Sequence, residues 1–204
     1  QRAASQPGGD VQYPPRRPGP GPVVRSLVIG FARRRPVLAQ LGALLTTTEV
    51  QITSVNGAII DGGDDEGGDI NAATASLRAE TGIGTDANPL ETVSDPSTTT
   101  LIVGATTDTG DIALSNTGAL VVGTVDGLSG ATVEDSANDN SGADNITLAA
   151  GSPLTVTTDV VNNDGGNITL TATNDGGDDD DLTISANVTA TGGNGAIDLN
   201  AGTD

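Results

Sequence analysis

Along the last third of the chain, two aliphatic residues two apart flank a polar one, three times over. The copies read Asp144-Asn145-Ile146-Thr147-Leu148, Gly166-Asn167-Ile168-Thr169-Leu170 and Gly195-Ala196-Ile197-Asp198-Leu199. Such alternation places both aliphatics on one side of a β-strand and the polar residue on the other. A second alternating triplet follows the first two copies, Leu154-Thr155-Val156 and Leu182-Thr183-Ile184. The phrase also occurs earlier, as Gly110-Asp111-Ile112-Ala113-Leu114 followed by Ala119-Leu120-Val121-Val122. The predicted unit is therefore turn, strand, turn, strand. The grammar begins at Val50-Gln51-Ile52, with a turn at Asn56-Gly57 and further strands at Ala58-Ile59-Ile60, Ile70-Asn71-Ala72, Ala75 to Ala79 and Thr100 to Val103.

Spacing turns these strands into an architecture. Ile146 and Ile168 are 22 residues apart, Ile168 and Ile197 are 29 apart, and the surplus lies largely in the acidic run Asp175 to Asp181. Strands that keep their mutual distances while loops absorb insertions are the mark of a solenoid. The expected fold is all-β, a parallel β-helix with coils of about 22 residues over residues 47–204. The pairs Ile112 and Leu114, Ile146 and Leu148, Ile168 and Leu170, and Ile197 and Leu199 would then stack as an internal ladder. The threonines between them face water, where β-branching still favours the strand. The corner segments Gly165-Gly166-Asn167 and Gly192-Gly193-Asn194-Gly195 are expected to supply positive φ angles.

Residues 1–46 follow other rules. Six of the ten prolines lie within residues 1–22, which predicts an extended or disordered arm. Val23 to Leu45 has enough periodic aliphatics for a short helix, interrupted at Arg33-Arg34-Arg35-Pro36. An alternative is a targeting remnant, since Arg34-Arg35-Pro36-Val37-Leu38 loosely resembles a twin-arginine signal. The segment is too short and too charged to span a membrane.

Composition narrows the choices. The chain has no cysteine, histidine, methionine or tryptophan, and its aromatics are Tyr13 and Phe31 alone. A core beyond residue 46 must be built from aliphatics, without the large ring that fills most sandwich domains. Seven of the eight arginines precede residue 46 against one acid, Asp10, giving that part +6. The remainder sets Arg78 against 26 acids and carries −25, for the overall −19. So acidic a surface, with Arg78 as its one cation, cannot displace counterions from phosphates to any extent, which argues against nucleic acid and anionic membranes as partners. Gln1 at the start and a stop within a phrase at Asp204 suggest a piece of a longer chain, whose further coils would be partners of these.

The candidate chemistry is acidic. Asp61, Asp64, Asp65, Glu66 and Asp69 gather in one glycine-rich loop, and Asp175, Asp178, Asp179, Asp180 and Asp181 in another. Clustered carboxylates on flexible backbone suit a hard cation such as calcium, although neither loop has the EF-hand pattern. The simpler reading is a pair of solvated insertions with no cofactor. Triads that use histidine or cysteine are excluded by composition, which leaves paired aspartates acting on a glycoside as the remaining catalytic option.

Several phrases resemble the repeat regions of large bacterial surface proteins of the filamentous haemagglutinin type. They are Gly57-Ala58-Ile59, Leu77-Arg78-Ala79-Glu80-Thr81-Gly82-Ile83-Gly84, Asn88-Pro89-Leu90-Glu91-Thr92, and Gly110 to Leu120. The resemblance covers about three quarters of the chain. It implies a right-handed β-helix, export to the cell surface or medium, and a structural or adhesive role towards a glycan or protein ligand. The leading expectation is a non-catalytic stalk segment. A calcium-stabilised extracellular binding module is the alternative, and a β-helical carbohydrate-acting enzyme stands third.

Overall fold

A computed structural model describes residues 24–29, 39–41, 45–46, 48–62, 68–95, 99–135, 143–173 and 180–202. Among them there is no helix; the regular structure is all β. The first strands are β1 (Val24–Ile29), β2 (Ala39–Leu41), β3 (Leu45–Thr46), β4 (Glu49–Ser54), β5 (Ile59–Asp61), β6 (Ile70–Ala72) and β7 (Thr74–Ala79). The middle of the chain holds β8 (Leu90–Ser94), β9 (Thr100–Thr107), β10 (Ile112–Thr117), β11 (Ala119–Val122), β12 (Thr124–Val125), β13 (Leu128–Ser129) and β14 (Ala131–Val133). The last third comprises β15 (Ile146–Ala150), β16 (Leu154–Val156), β17 (Val160–Asn162), β18 (Ile168–Ala172), β19 (Leu182–Ile184), β20 (Val188–Ala190) and β21 (Ile197–Asn200).

While β2 and β5 pair in parallel as a short sheet of their own, most of these strands form two long parallel sheets. One runs β1-β4-β7-β9-β11-β16-β19, with β14, β17 and β20 paired in succession beside the far half of β9. The other runs β21-β18-β15-β10-β8-β6-β3. The repeated phrase is in register: Ile112 pairs with Ile146, Ile146 with Ile168, and Ile168 with Ile197. The spatial neighbourhood expected of these isoleucines from their spacing is therefore present. Each unit holds a third strand that the turn-strand-turn-strand reading left out, β17 in one and β20 in the next, paired Val160 to Val188.

The only antiparallel ladder among the described residues is the hairpin β12–β13, closed by Asp126-Gly127. Both residues have positive φ (49° and 73°), the twist that a two-residue hairpin requires. The hairpin occupies the bend of β9, whose first half pairs with β11 and second half with β14. Gly104 makes this possible, because a Cβ there would lie 2.6 Å from the carbonyl oxygen of Leu128.

The core is a single column of aliphatics. Ile52, Leu77, Leu101, Leu120, Leu154 and Val156 line it from one sheet, and Ile70, Leu90, Ile112, Leu114, Ile146, Leu148, Ile168 and Leu170 from the other. All of these are fully buried, while intervening residues such as Thr147 and Thr169 remain partly exposed, Ala113 being a buried exception. A few polar side chains are buried beside the column, among them Ser54, Ser94, Thr107, Asn116 and Asn162. Asn116 Nδ2 donates to Ser94 Oγ (3.1 Å) and to the Gly118 carbonyl (2.9 Å), while its Oδ1 accepts from Thr92 Oγ1 (2.9 Å).

The stretch Val23 to Leu45, expected to be helix-prone, behaves differently. Its described residues lie in β1, β2 and β3, and β1 pairs with β4 in parallel from Val24–Glu49 to Ile29–Ser54. A short apolar run has no strong local preference, and the edge of β4 supplies partners that an isolated helix would lack. The prolines of residues 1–22 and the arginines at 33–35 lie outside the described residues.

Because Ile168 sits in the middle of the ladder with no exposed surface, Ile168→Ala should cost about 2–5 kcal/mol. Thr169→Ala, one position along on the outer face, should cost less than about 1 kcal/mol. Urea unfolding of the two variants checks this, and equal losses would contradict the in-register core.

Candidate functional site: buried carboxylates and an Asx ladder

Three carboxylates from neighbouring strands converge. One oxygen from each of Asp61, Asp69 and Glu91 lies within 4.8 Å of the others. Asp61 ends β5 and Asp69 directly precedes β6, so the two flank the acidic loop. Glu91 comes from β8, brought in because the Asp69 N–H donates to the Glu91 carbonyl oxygen (2.9 Å) and β6 continues in parallel beside β8. Asp61 is 6% exposed and Asp69 5%, with Glu91 half-buried.

Two ionised carboxylates at that separation repel by roughly 3.5 kcal/mol at an effective dielectric of about 20. The cluster thus concentrates negative charge between β5, β6 and β8. As a set of three hard oxygen donors it matches part of a calcium shell, the remainder of which would come from carbonyls and water. It is badly placed for glycoside hydrolysis, because a sugar ring cannot reach side chains buried to this degree.

Of the acidic residues singled out in the sequence, then, Asp61 and Asp69 are brought together. Asp64, Asp65, Glu66, Asp175, Asp178 and Asp179 lie outside the described residues. Asp180 is buried, Asp181 is exposed, and the Asp181 carbonyl accepts from the Leu154 N–H (2.9 Å). The sequence reading missed Glu91. Its signal was present, since Glu91 follows Asp69 by 22 residues, the same step that separates Ile146 from Ile168.

A second polar arrangement runs along the corner before the repeated strand. The Asn145 N–H donates to Asp111 Oδ1 (2.7 Å), the Asn167 N–H to Asn145 Oδ1 (3.0 Å), and the Ala196 N–H to Asn167 Oδ1 (2.8 Å). Each side chain thus caps the backbone of the following unit, and the ladder stops where alanine replaces Asx. Asn167 does not supply the expected positive φ; Gly165 (83°) and Gly192 (89°) do. Gly166 is required for another reason, because a Cβ there would collide with the Asp144 carbonyl oxygen.

The outer face also carries the sole arginine of the acidic region. Arg78 is exposed, flanked in register by Thr53 and Thr106. Together with Val55, Glu80 and Asp108 these residues line a shallow cavity of about 220 Å³. No helix among the described residues is long and apolar enough to cross a membrane.

The ladder predicts that Asn145→Ala will destabilise by about 1–2 kcal/mol, through loss of the acceptor for the Asn167 N–H. Asn167→Ala should lose a similar amount, through the acceptor for the Ala196 N–H, and denaturant melts of the two variants check this: losses below about 0.5 kcal/mol in both would contradict a capping role.

Comparisons with protein-family models, characterised proteins and solved structures found no match to this chain.

Proposed function

We propose that residues 47–204 are a right-handed parallel β-helical segment serving as a non-catalytic scaffold of a secreted or surface-attached bacterial repeat protein. The observation that supports it most is the unbroken register of Ile112, Ile146, Ile168 and Ile197 despite separations of 34, 22 and 29 residues. Such a column is lengthened simply by adding units, which is what an extended stalk needs. The right hand follows the strong preference for right-handed crossovers between parallel strands. Outer faces carrying threonine, asparagine and aspartate, with Arg78 in its shallow cavity, offer hydroxyl and amide groups to a glycan or protein ligand. At about 4.8 Å per strand, the seven strands of the second sheet would extend roughly 30 Å.

A second reading, stabilisation by calcium, is favoured by the convergence of Asp61, Asp69 and Glu91. In this reading the cation tethers β5, β6 and β8 near one end of the column.

Antibody labelling of intact producing cells tests the first reading. Signal on unpermeabilised cells, removed by external protease, is expected; signal only after permeabilisation would overturn a surface location. Thermal melting in millimolar calcium tests the second. Occupancy at about a hundred times the dissociation constant would add about 2.7 kcal/mol and raise the melting temperature by several degrees. That rise should vanish in Glu91→Gln, and a chain indifferent to calcium would remove the metal.

A further inference from the structure

Around Arg78 the outer face of the first sheet forms a grid of two rows. One row is Thr53, Arg78 and Thr106, set side by side by the registers of β4, β7 and β9. The other, two residues further along, is Val55, Glu80 and Asp108. The Glu80 N–H donates to the Ser54 carbonyl and the Asp108 N–H to the Ala79 carbonyl, both at 3.2 Å, which carries the same pairing past the strand ends. Between the rows Ser54, Ala79 and Thr107 are buried, so the six members of the grid stand on the outward side. All six line the cavity of about 220 Å³.

The charges in this grid are of both signs and close together. Residues two apart on a strand are separated by roughly 6.6 Å and neighbouring strands by roughly 4.8 Å, so one small ligand can reach all three charged side chains. Among the described residues no ion pair joins Arg78 to Glu80 or Asp108. Glu80 and Asp108 stand side by side on adjacent strands, where like charges repel. A ligand bearing only a carboxylate would be drawn by Arg78 but turned away by the 26 acids of residues 47–204. One bearing only a cation would leave the guanidinium unmatched. Complementarity calls for both signs in one molecule.

We propose that this cavity takes the C-terminal lysine or arginine of a polypeptide. Its carboxylate pairs bidentately with the Arg78 guanidinium, between the hydroxyls of Thr53 and Thr106. Its side-chain cation lies between Glu80 and Asp108, and its aliphatic stem covers Val55, which is 49% exposed. The cavity is smaller than the roughly 300–1,000 Å³ that encloses a drug-sized ligand, and it is shallow, which suits one terminal residue whose chain leads away into solvent. This occupant rests on the ligand-facing role given to the outer face in the scaffold reading, and narrows it to one chemistry.

Amide chemical-shift titration of the 204-residue chain tests it. The probes are Nα-acetyl-lysine, which reproduces a C-terminal lysine, its amide, which lacks the carboxylate, and Nα-acetyl-norleucine, which lacks the ammonium group. Acetyl-lysine should shift Arg78, Glu80, Asp108 and their neighbours with a dissociation constant in the millimolar range or below, and each of the other two should bind roughly tenfold more weakly. Arg78→Gln should abolish the preference for acetyl-lysine over its amide, and the double variant Glu80→Gln, Asp108→Asn the preference over acetyl-norleucine. These side chains lie outside the core, so an unchanged urea midpoint is expected and separates lost binding from lost fold. No response to acetyl-lysine up to about 10 mM overturns the proposal. Equal affinity for acetyl-lysine and its amide also overturns it, as attraction of any cation by an acidic chain. Free lysine binding tenfold more tightly than acetyl-lysine would overturn the peptide end in favour of the free amino acid. Labelling of intact cells is blind to all of these outcomes, so the surface location and this site fail separately.

Discussion

Everything in this molecule depends on a strand finding its partner one unit away. The Ile112 N–H donates to the Asn145 carbonyl, the Ile146 N–H to Asn167, and the Ile168 N–H to Ala196, at 2.8–2.9 Å. No unit can satisfy its own backbone, and none buries enough apolar surface to offset the entropy of ordering its residues. Stability is therefore a property of neighbours, and it passes along the column as a chain of interfaces. The aliphatic core obeys the same rule, since Ile168 is dry only because Ile146 and Ile197 lie on either side of it.

Register is protected by the two-residue period of the strand. A slip by one residue would turn Ile168 and Leu170 outward and bring Thr169 into the aliphatic column. Loops between strands can lengthen without that penalty, which is why the step from one isoleucine to the next varies while the pairing does not. Side chains at the corners reinforce the alignment. Asp111, Asn145 and Asn167 each accept from the backbone of the following unit, and a slipped register would leave those acceptors facing carbonyls. Asn162 does similar work inside, donating from Nδ2 to the Asp144 carbonyl (2.7 Å) and accepting the Asp164 N–H on Oδ1 (3.0 Å).

Polar chemistry is thus left to the places where the repeat is interrupted. The carboxylate cluster sits at the base of an insertion, where Asp61 and Asp69 leave the ladder and Glu91 arrives from the strand beyond. The shallow cavity around Arg78 lies on an outer face, where side chains have no role in the core. A column of this design can change what it displays without changing what holds it together, and that separation suits the scaffold role proposed for it.

Much of this was determined by the sequence alone. The alternation of Ile146, Thr147 and Leu148 defines a strand and its buried face locally, and the recurrence of that phrase identifies which strands lie side by side. The absence of aromatics after residue 46 likewise settled that the column would be filled by aliphatics. Tertiary structure decided the rest, wherever the outcome depended on a partner distant in the chain. Val24–Ile29 is a strand because β4 offers it an edge, and its own periodicity could not have chosen between strand and helix. The short runs at β17 and β20 carry too little alternation to stand out, and they become strands by pairing with each other and with β14. Glu91 joins Asp61 and Asp69 because a full turn of the chain separates it from Asp69, a distance that adjacency in sequence hides and stacking in space removes.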